Sequence, residues 1–431
     1  MITRKNIKFT ADPRRVILRP FFPGNEMRAG HVIERVLNMP EVEASAQLDD
    51  VIKNFSRRHK GFEAGLMRNY SRITRLLPDE KELSEKRKLL LGSYFSHEYS
   101  IESAALFNPS IVPHPDQSGI KENELRFVMS LRATGEGHIS SIEFRTGIID
   151  KDNNISFEAL TPYAGMAQER KEKVETEITL ADESARDANY DISFTGSEPL
   201  SERVIFPFSK TESNGIEDVR FVRFYNDGGT STYYGTFTAY DGHRILPELI
   251  QTDDFIKFKV RTMQGAAAKD KGMALFPRKI NGKYVFISRI DGENLYFMQS
   301  DNLYQWDNAE LLRVPFCNWE FVQIGNCGSP IETDAGWLLI THAVGPMRKY
   351  VISAILLDKD EPSKVIGYLK DPLIEPDENE REGYVPNVVY SCGSLVHNNE
   401  IIIPYAMSDS ASTIASVSLN KVLQSIIPVK N

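Results

Sequence analysis

Two adjacent carboxylates, Glu217 and Asp218, head the alternating run Val219-Arg220-Phe221-Val222-Arg223-Phe224. A buried carboxyl group at a strand end can keep its proton near neutral pH and act as a general acid. The same pair can equally be a solvated strand end, and the stretch alone leaves both readings open. After Gly228-Gly229 comes a second strand, Tyr233–Tyr240, rich in aromatic and β-branched residues, closing on Asp241-Gly242. The acids therefore lie at the mouth of a hairpin.

Further polar side chains occupy comparable places along the chain: Asn108, Arg145, Arg220, Arg289, His342, Asn387 and Asp409. Brought together with Asp218, they make a pocket holding a carboxylic acid, several cations and amide donors. Tyr233, Tyr234, Tyr240 and Tyr350 would add flat apolar faces with polar edges. That inventory suits a sugar ring and an anion beside it. Each residue also has a plain structural reading. His342, behind the apolar run Trp337–Ile340, fits a buried histidine; Arg289 fits a surface partner of Asp291 or Asp301; Asp409 fits turn chemistry. No GxSxG elbow, Walker loop or strand-to-helix GxGxxG occurs, and the histidines form no HExxH. No metal site is expected. His138, in GEGHISS, is a lesser candidate for the pocket.

The elements that would gather these residues follow a loose repeat. Its lead-in segments are Phe107–Ile111, Glu217–Arg220, Leu275–Lys279, Ser329–Thr333 and Pro386–Tyr390, mostly about fifty residues apart. Each precedes an apolar strand ending in a small polar residue: FVMSLRA, YYGTFTAYDG, YVFISRIDG, WLLITHAVG and IIIPYAMSD. Five such units predict a mainly β protein, a five-bladed β-propeller over residues 104–431, with a pair of β-sandwiches as the alternative. In a ring the lead-ins converge on a central channel. A charged insertion at about residues 165–195 would cover one face as a lid or oligomer contact.

Residues 1–103 differ in character. Residues Ile7–Arg19 read as a short strand leading to Pro20-Phe21-Phe22-Pro23-Gly24-Asn25. Apolar residues then recur at helical spacing: Val32, Ile33, Val36, Leu37; Leu48, Val51, Ile52, Phe55; Leu66, Tyr70, Ile73, Leu77; and Leu83 to Phe95. Pro40 and Pro78 mark expected helix starts, with Asp79-Glu80 in a first turn. Three or four helices are predicted, an α-helical extension through which a homo-oligomer could form. Arg57-Arg58-His59-Lys60 reads as a solvated helix end.

The formal net charge of −9 over 431 residues argues against a broad nucleic-acid surface and leaves room for a local basic pocket. Cys317, Cys327 and Cys392 form no CxxC pair, which suits reduced thiols in the cytoplasm. MITRKNIKFTADPRR has no apolar signal core and no apolar run approaches membrane-spanning length, so a cytoplasmic protein is expected.

FNPSI at Phe107–Ile111, EDVR at Glu217–Arg220, YYGTFTAYDG, ALFPRKINGKY, GSPIETDAGWLLITHAVG and PNVVYSCGS together resemble glycoside hydrolase family 130. The resemblance covers Asn108 to about Leu419. RPFFPGN and YFSHEYSIESAALFNPS, which flank the helical stretch, resemble a long-extension branch. The family implies five-bladed propellers acting on β-mannosides, mostly as inverting phosphorylases and in part as hydrolases. It implies Asp218 as the acid, acting through a sugar hydroxyl, with Val219 where the usual EDPR has proline. Asn108, Arg145 and Asp409 would contact sugar, with Glu217, Arg220, Tyr240 and Asn387 beside them. Arg289, His342 and Tyr350 fall where phosphorylases bind phosphate. Gln323 stands where a phosphate-holding lysine is usual, and Lys269 or Lys271 where a second phosphate arginine is expected.

An inverting hydrolase needs a second carboxylate as base, whereas a phosphorylase needs cations to hold its anionic nucleophile. Arg289, His342 and Lys271 favour phosphorolysis, and Gln323 weakens it. Glu332 and Glu320 are the acids a hydrolase could recruit. The expectation is release of mannose 1-phosphate from an oligosaccharide, with inorganic phosphate as co-substrate and no cofactor. Hydrolysis and a non-catalytic carbohydrate-binding propeller stay open.

Overall fold

The computed structural model describes residues 2–78, 82–167, 169–172 and 188–429, which are mainly β. They divide into two compact units. One comprises the described residues of Met1–Ala11, Ala104–Leu160 and Ala167–Asn431, the other those of Asp12–Ser103 and Thr161–Met166.

The first unit is a succession of antiparallel meanders. The first runs Ala105–Pro113, Leu125–Thr134, Ser140–Ile149 and Ile155–Phe157. The second runs Gly215–Tyr225, Ser231–Tyr240, Ile245–Thr252 and Lys257–Thr262. Ala274–Leu275, Tyr284–Ser288, Leu295–Ser300 and Glu310–Arg313 make the third. In the fourth, Gln323–Asn326 and Ile331–Thr333 both pair with Gly336–Val344, followed by Tyr350–Leu357 and Val365–Leu369. The fifth sets Val389–Tyr390 and Leu395–His397 against Glu400–Met407, then Ala411–Ser418. Its outer edge is completed by Thr3–Arg4 and Phe9–Thr10, from the far end of the sequence.

Many of these strands read as continuous apolar runs because both faces are covered. In Gly336–Val344, buried throughout, Trp337 and Leu339 pack with Phe276 and Phe297 of the third meander. Leu338 and Ile340, on the other face, pack with Ile401, Ile403 and Tyr405 of the fifth. Each such leucine or isoleucine contributes roughly 2 kcal/mol by leaving water. Comparable clusters join the first meander to the second and the second to the third. One more joins the fifth to the first, where Leu395, Ile402 and Ile414 meet Leu106, Ile111 and Phe127.

The repeat is sharper in the backbone than in the lead-in words. Asn108, Asp218 and Asn387 take left-handed φ of 48°, 56° and 63°, and Gly272 and Gly328 take 81° and 100°. Pairing resumes two residues later at Ser110, Arg220, Ala274 and Val389. The third unit therefore opens at Gly272, three residues ahead of Leu275.

In the second unit α1 (Glu26–Asn38) is capped by the Asn25 side chain, which accepts from Arg28 N at 3.0 Å. α2 (Glu41–Phe55) follows Pro40 as expected, and α3 spans Phe62–Ser71. The first turn expected after Pro78 falls on residues outside the described ones. α4 (Glu85–Tyr94) begins behind Ser84, whose hydroxyl accepts from Arg87 N at 3.2 Å, and Asp79 and Glu80 lie outside the described residues. Val16–Pro20 pairs with Ser96–Ser100 as a two-stranded ribbon. Of the insertion at about 165–195, residues 168 and 173–187 lie outside the described residues; Tyr190–Ser193 pairs with Lys257–Thr262. No helix among the described residues is long and apolar enough to cross a membrane.

Candidate active site

Asp218 occupies a β-bulge. Glu217 pairs with Thr238 and Arg220 with Thr236, so two residues, Asp218 and Val219, face Phe237 alone. Asn108 occupies the same place in the first meander, where Phe107 pairs with Arg132 and Ser110 with Ser130. Asparagine and aspartate tolerate the left-handed backbone this needs, which is why these types stand there. The two bulges bring their side chains together: Asn108 Nδ2 donates to Asp218 Oδ1 at 2.7 Å. Asn108 Oδ1 is buried with no hydrogen-bond partner among the described residues.

Arg132 forks across both acids. Its Nη1 donates to Asp218 Oδ1 at 3.2 Å and its Nη2 to Glu217 Oε1 at 2.7 Å. Its Nε is held by Ser140 Oγ at 2.9 Å, and its guanidinium lies 4.9 Å from the centre of the Phe107 ring. Lys271 Nζ donates to the other Glu217 oxygen at 2.6 Å. Burial opposes ionisation of Asp218, but Arg132, Arg220, the Asn108 amide and Lys271 outweigh it and hold the carboxyl below its ordinary range. Asp409 is the reverse case. Burial, then the charge of Asp218, push it up to about 6 against the pull of Arg132 and Arg348. Two carboxyls in one field are thus driven apart.

Beside the acids lies a second cluster. Arg220 Nη1 donates to the Asp218 carbonyl at 2.9 Å, Nη2 to Tyr390 Oη at 2.5 Å and Nε to Asn326 Oδ1 at 3.2 Å. His342 sits among these groups, its ring centre 4.6 Å from that of Tyr390 and 6.3 Å from a nearly parallel Tyr350. Its Nδ1 donates to the Asn326 carbonyl at 3.1 Å, leaving Nε2 as the acceptor 3.5 Å from Arg289 Nη1. Gly325 makes room for this ring: a Cβ there would lie 2.3 Å from His342 Cε1. Arg289 Nε is buried without a hydrogen-bond partner among the described residues.

Several sequence expectations change here. His342 is not a cation: burial, then Arg289 and Arg220, hold its pKa well below the ordinary imidazole value. Lys271 is held by Glu217. Tyr233 and Tyr234 are core residues rather than pocket walls; Tyr233 packs against Phe255 and donates to the Pro113 carbonyl at 2.8 Å. Tyr240 donates to the Gly242 carbonyl at 3.0 Å. Arg145 is buried in the middle of its strand with Glu143 at 3.2 Å. Asn387 Oδ1 accepts from Arg381 Nε at 2.9 Å, while its carbonyl accepts from Tyr350 N at 3.0 Å. Gln323 stands two residues before Gly325, on the same face of its strand. Glu332 is paired with Arg278 at the surface. Glu320 is taken by Arg313 and by the Phe316 and Cys317 amides.

Arg132, Asn326, Arg348 and Tyr390 went unread in the sequence. Arg132 could have been found from register, since it stands opposite Phe107 and next to the Asn108 bulge. The three cysteines are free, two of them buried.

A mainly β protein of repeated meanders, with a carboxylate–guanidinium cluster at the bulges of two neighbouring meanders, is the class these observations define. The family model described as beta-1,4-mannooligosaccharide phosphorylase matches residues 165–427. The chain belongs to that family, glycoside hydrolase family 130. The FNPSI motif lies ahead of the matched residues. Over 230 residues the chain is 34% identical to a 1,2-beta-oligomannan phosphorylase of Thermoanaerobacter sp. (strain X514), covering 52% of this chain and 75% of the relative. A beta-1,2-mannobiose phosphorylase of Listeria innocua serovar 6a is 27% identical, over 52% of this chain and 63% of that one. Among solved structures, a Listeria innocua beta-1,2-mannobiose phosphorylase in complex with beta-1,2-mannobiose superposes with a TM-score of 0.51. That match is 19% identical and covers 75% of this chain and 92% of the other, a likeness of fold.

Proposed function

We propose that the chain cleaves β-mannosidic bonds in manno-oligosaccharides by inverting phosphorolysis, with Asp218 as general acid. A phosphate oxygen attacks the anomeric carbon as its bond to the bridging oxygen breaks. That oxygen takes a proton passed from Asp218 through a sugar hydroxyl, and mannose 1-phosphate leaves. The observation that carries this reading is the pairing of Asp218 with Asn108 and Arg132 beside an arginine, Arg289, whose Nε is buried without a partner among the described residues. An anionic nucleophile would satisfy that donor. Family membership and the names of the relatives support the same chemistry.

In this reading Asn108 Oδ1 and Asp409 receive sugar hydroxyls, with Glu217 and Arg220 beside them. Arg289 and Tyr350 receive phosphate, with Gln323 and Lys271 near them, and neutral His342, whose Nε2 accepts from Arg289, orients that arginine. No cofactor takes part. Hydrolysis loses support because Glu320 and Glu332, its candidate bases, are already engaged. The fold that goes with this function is a five-bladed propeller with a helical extension at residues 12–103. Packing of the fifth meander on the first, and its completion by residues 3–10, support a closed ring.

Incubation with β-mannobioses of each linkage, with and without phosphate, tests the proposal. Mannose 1-phosphate formed only with phosphate is the expected result. Free mannose released at one rate in both conditions would overturn it.

A further inference from the structure

The helical unit contains a cavity of about 280 Å³ that no residue of the acid cluster touches. Its apolar wall comes from Leu18, Val51, Phe62 and Leu66. Close helix packing leaves it standing: a Cβ on Gly92 would lie 2.1 Å from the Leu66 carbonyl, so α3 and α4 meet backbone to backbone beneath it. Facing this wall are polar groups held in fixed orientations. Gln47 Nε2 donates to Tyr94 Oη at 2.6 Å, and Ser96 Oγ accepts from Asn69 Nδ2 at 2.7 Å while donating to the Gly92 carbonyl. Glu98 accepts from Arg58 at 2.6 Å and from His59 at 2.9 Å.

The surface around the cavity is aromatic. Phe55 and Tyr94 line it and are exposed. Phe21, also exposed, has its ring centre 6.0 Å from that of His97, which lines the cavity. Three exposed rings grouped about one concavity mark a binding surface rather than scattered surface apolarity.

The mixture of walls selects the guest. An alkyl or aryl molecule would strip water from Gln47, Ser96 and Glu98 and return no hydrogen bonds. A free anion would meet the Glu98 carboxylate. A neutral pyranose has a C–H face for the aliphatic and aromatic walls and hydroxyls for the three polar groups, and one such ring fits the volume. We propose that this cavity is a saccharide site in its own right, taking one neutral pyranose unit. It uses none of the residues of the proposed phosphorolysis and stands or falls separately.

The test is photoaffinity labelling of the full chain with a mannose bearing a diazirine, the labelled peptides being mapped by mass spectrometry. Label is expected within residues 47–66 and 93–98, displaced by methyl mannoside or methyl glucoside and not by phenol or hexanol. Val51→Trp, which fills the cavity, and Gln47→Ala at its rim are each expected to cut that labelling about tenfold. Circular dichroism confirms that each variant folds, and Gln47→Ala carries the test if Val51→Trp does not. Absence of label in those segments, equal displacement by phenol or hexanol, or unchanged labelling in a folded variant would each overturn the proposal. Label at Asn108 or Asp218 reports on the acid cluster alone.

Discussion

The amide of Asn108 and the carboxylate of Asp218 meet at 2.7 Å although 110 positions separate them in the chain. Each is the extra, left-handed residue of a bulge in the first strand of its own meander. The repeat thus does more than build sheets. It sets a left-handed backbone position once per meander and, in the first, second and fifth, fills it with residues able to take both the conformation and the chemistry. Backbone strain of this kind gathers where a side chain must be aimed.

Asp218→Asn keeps the bulge and the size of the side chain but removes the exchangeable proton. On the proposed mechanism, kcat should fall about 10²- to 10⁴-fold with little change in KM for the sugar. In the free protein Asp218 is held below its ordinary pKa, so phosphate and sugar must raise it on binding, by adding negative charge and excluding water. The alkaline limb of kcat should therefore lie at higher pH than that of kcat/KM. Coincident limbs would count against this assignment.

Arg132→Met leaves Glu217 and Asp218 facing each other with one guanidinium fewer. Loss of one partner from a mostly buried charge cluster should cost about 2–3 kcal/mol in urea unfolding at pH 7. The depressed Asp218 pKa contributes stability above the ordinary carboxylate range, and this is lost as pH falls through the folded value. The gap between wild type and variant should accordingly narrow below about pH 4. A gap independent of pH would mean that Arg132 acts by packing on Phe107 alone.

How much of this was legible varies with the physics behind each residue. The meanders announced themselves because strands covered on both faces need continuous apolar runs, as in Trp337–Ile340. Asp218 was visible as an acid at a strand head, and its motif carried the resemblance. What single positions could not give was pairing. Lys271 and His342 looked like phosphate cations, yet one is neutralised by Glu217 and the other is discharged by burial beside two arginines. Tyr233 and Tyr234 looked like sugar platforms because an aromatic strand reads the same whether its faces meet solvent or another meander.

Gly325→Ala tests the phosphate cluster without touching a charge. The new methyl group would meet the His342 ring at 2.3 Å, so the ring must move from its place beside Tyr350 and Tyr390. Its Nε2 then moves away from Arg289. KM for phosphate should rise about tenfold or more, while KM for the sugar stays within about twofold. Arg289→Met should show the same split more strongly. Equal effects on both substrates would place the cluster in sugar binding instead.

Asp409→Asn should make the protein more stable, and only at the higher pH. Its folded pKa of about 6 lies above the ordinary carboxyl value of 3.8, so folding favours the protonated form. Wild type therefore holds this contribution in full below the ordinary value and loses it as pH rises through about 6. Above that, an ionised Asp409 sits in a half-buried site near the charge of Asp218, while asparagine carries no charge into it. Urea unfolding at pH 8 should favour the variant by about 1–3 kcal/mol. At pH 4 the two proteins should agree closely, because the wild-type carboxyl is then neutral when folded. A variant less stable at both pH values would show that the carboxylate is held by Arg132 and Arg348 more strongly than burial opposes it.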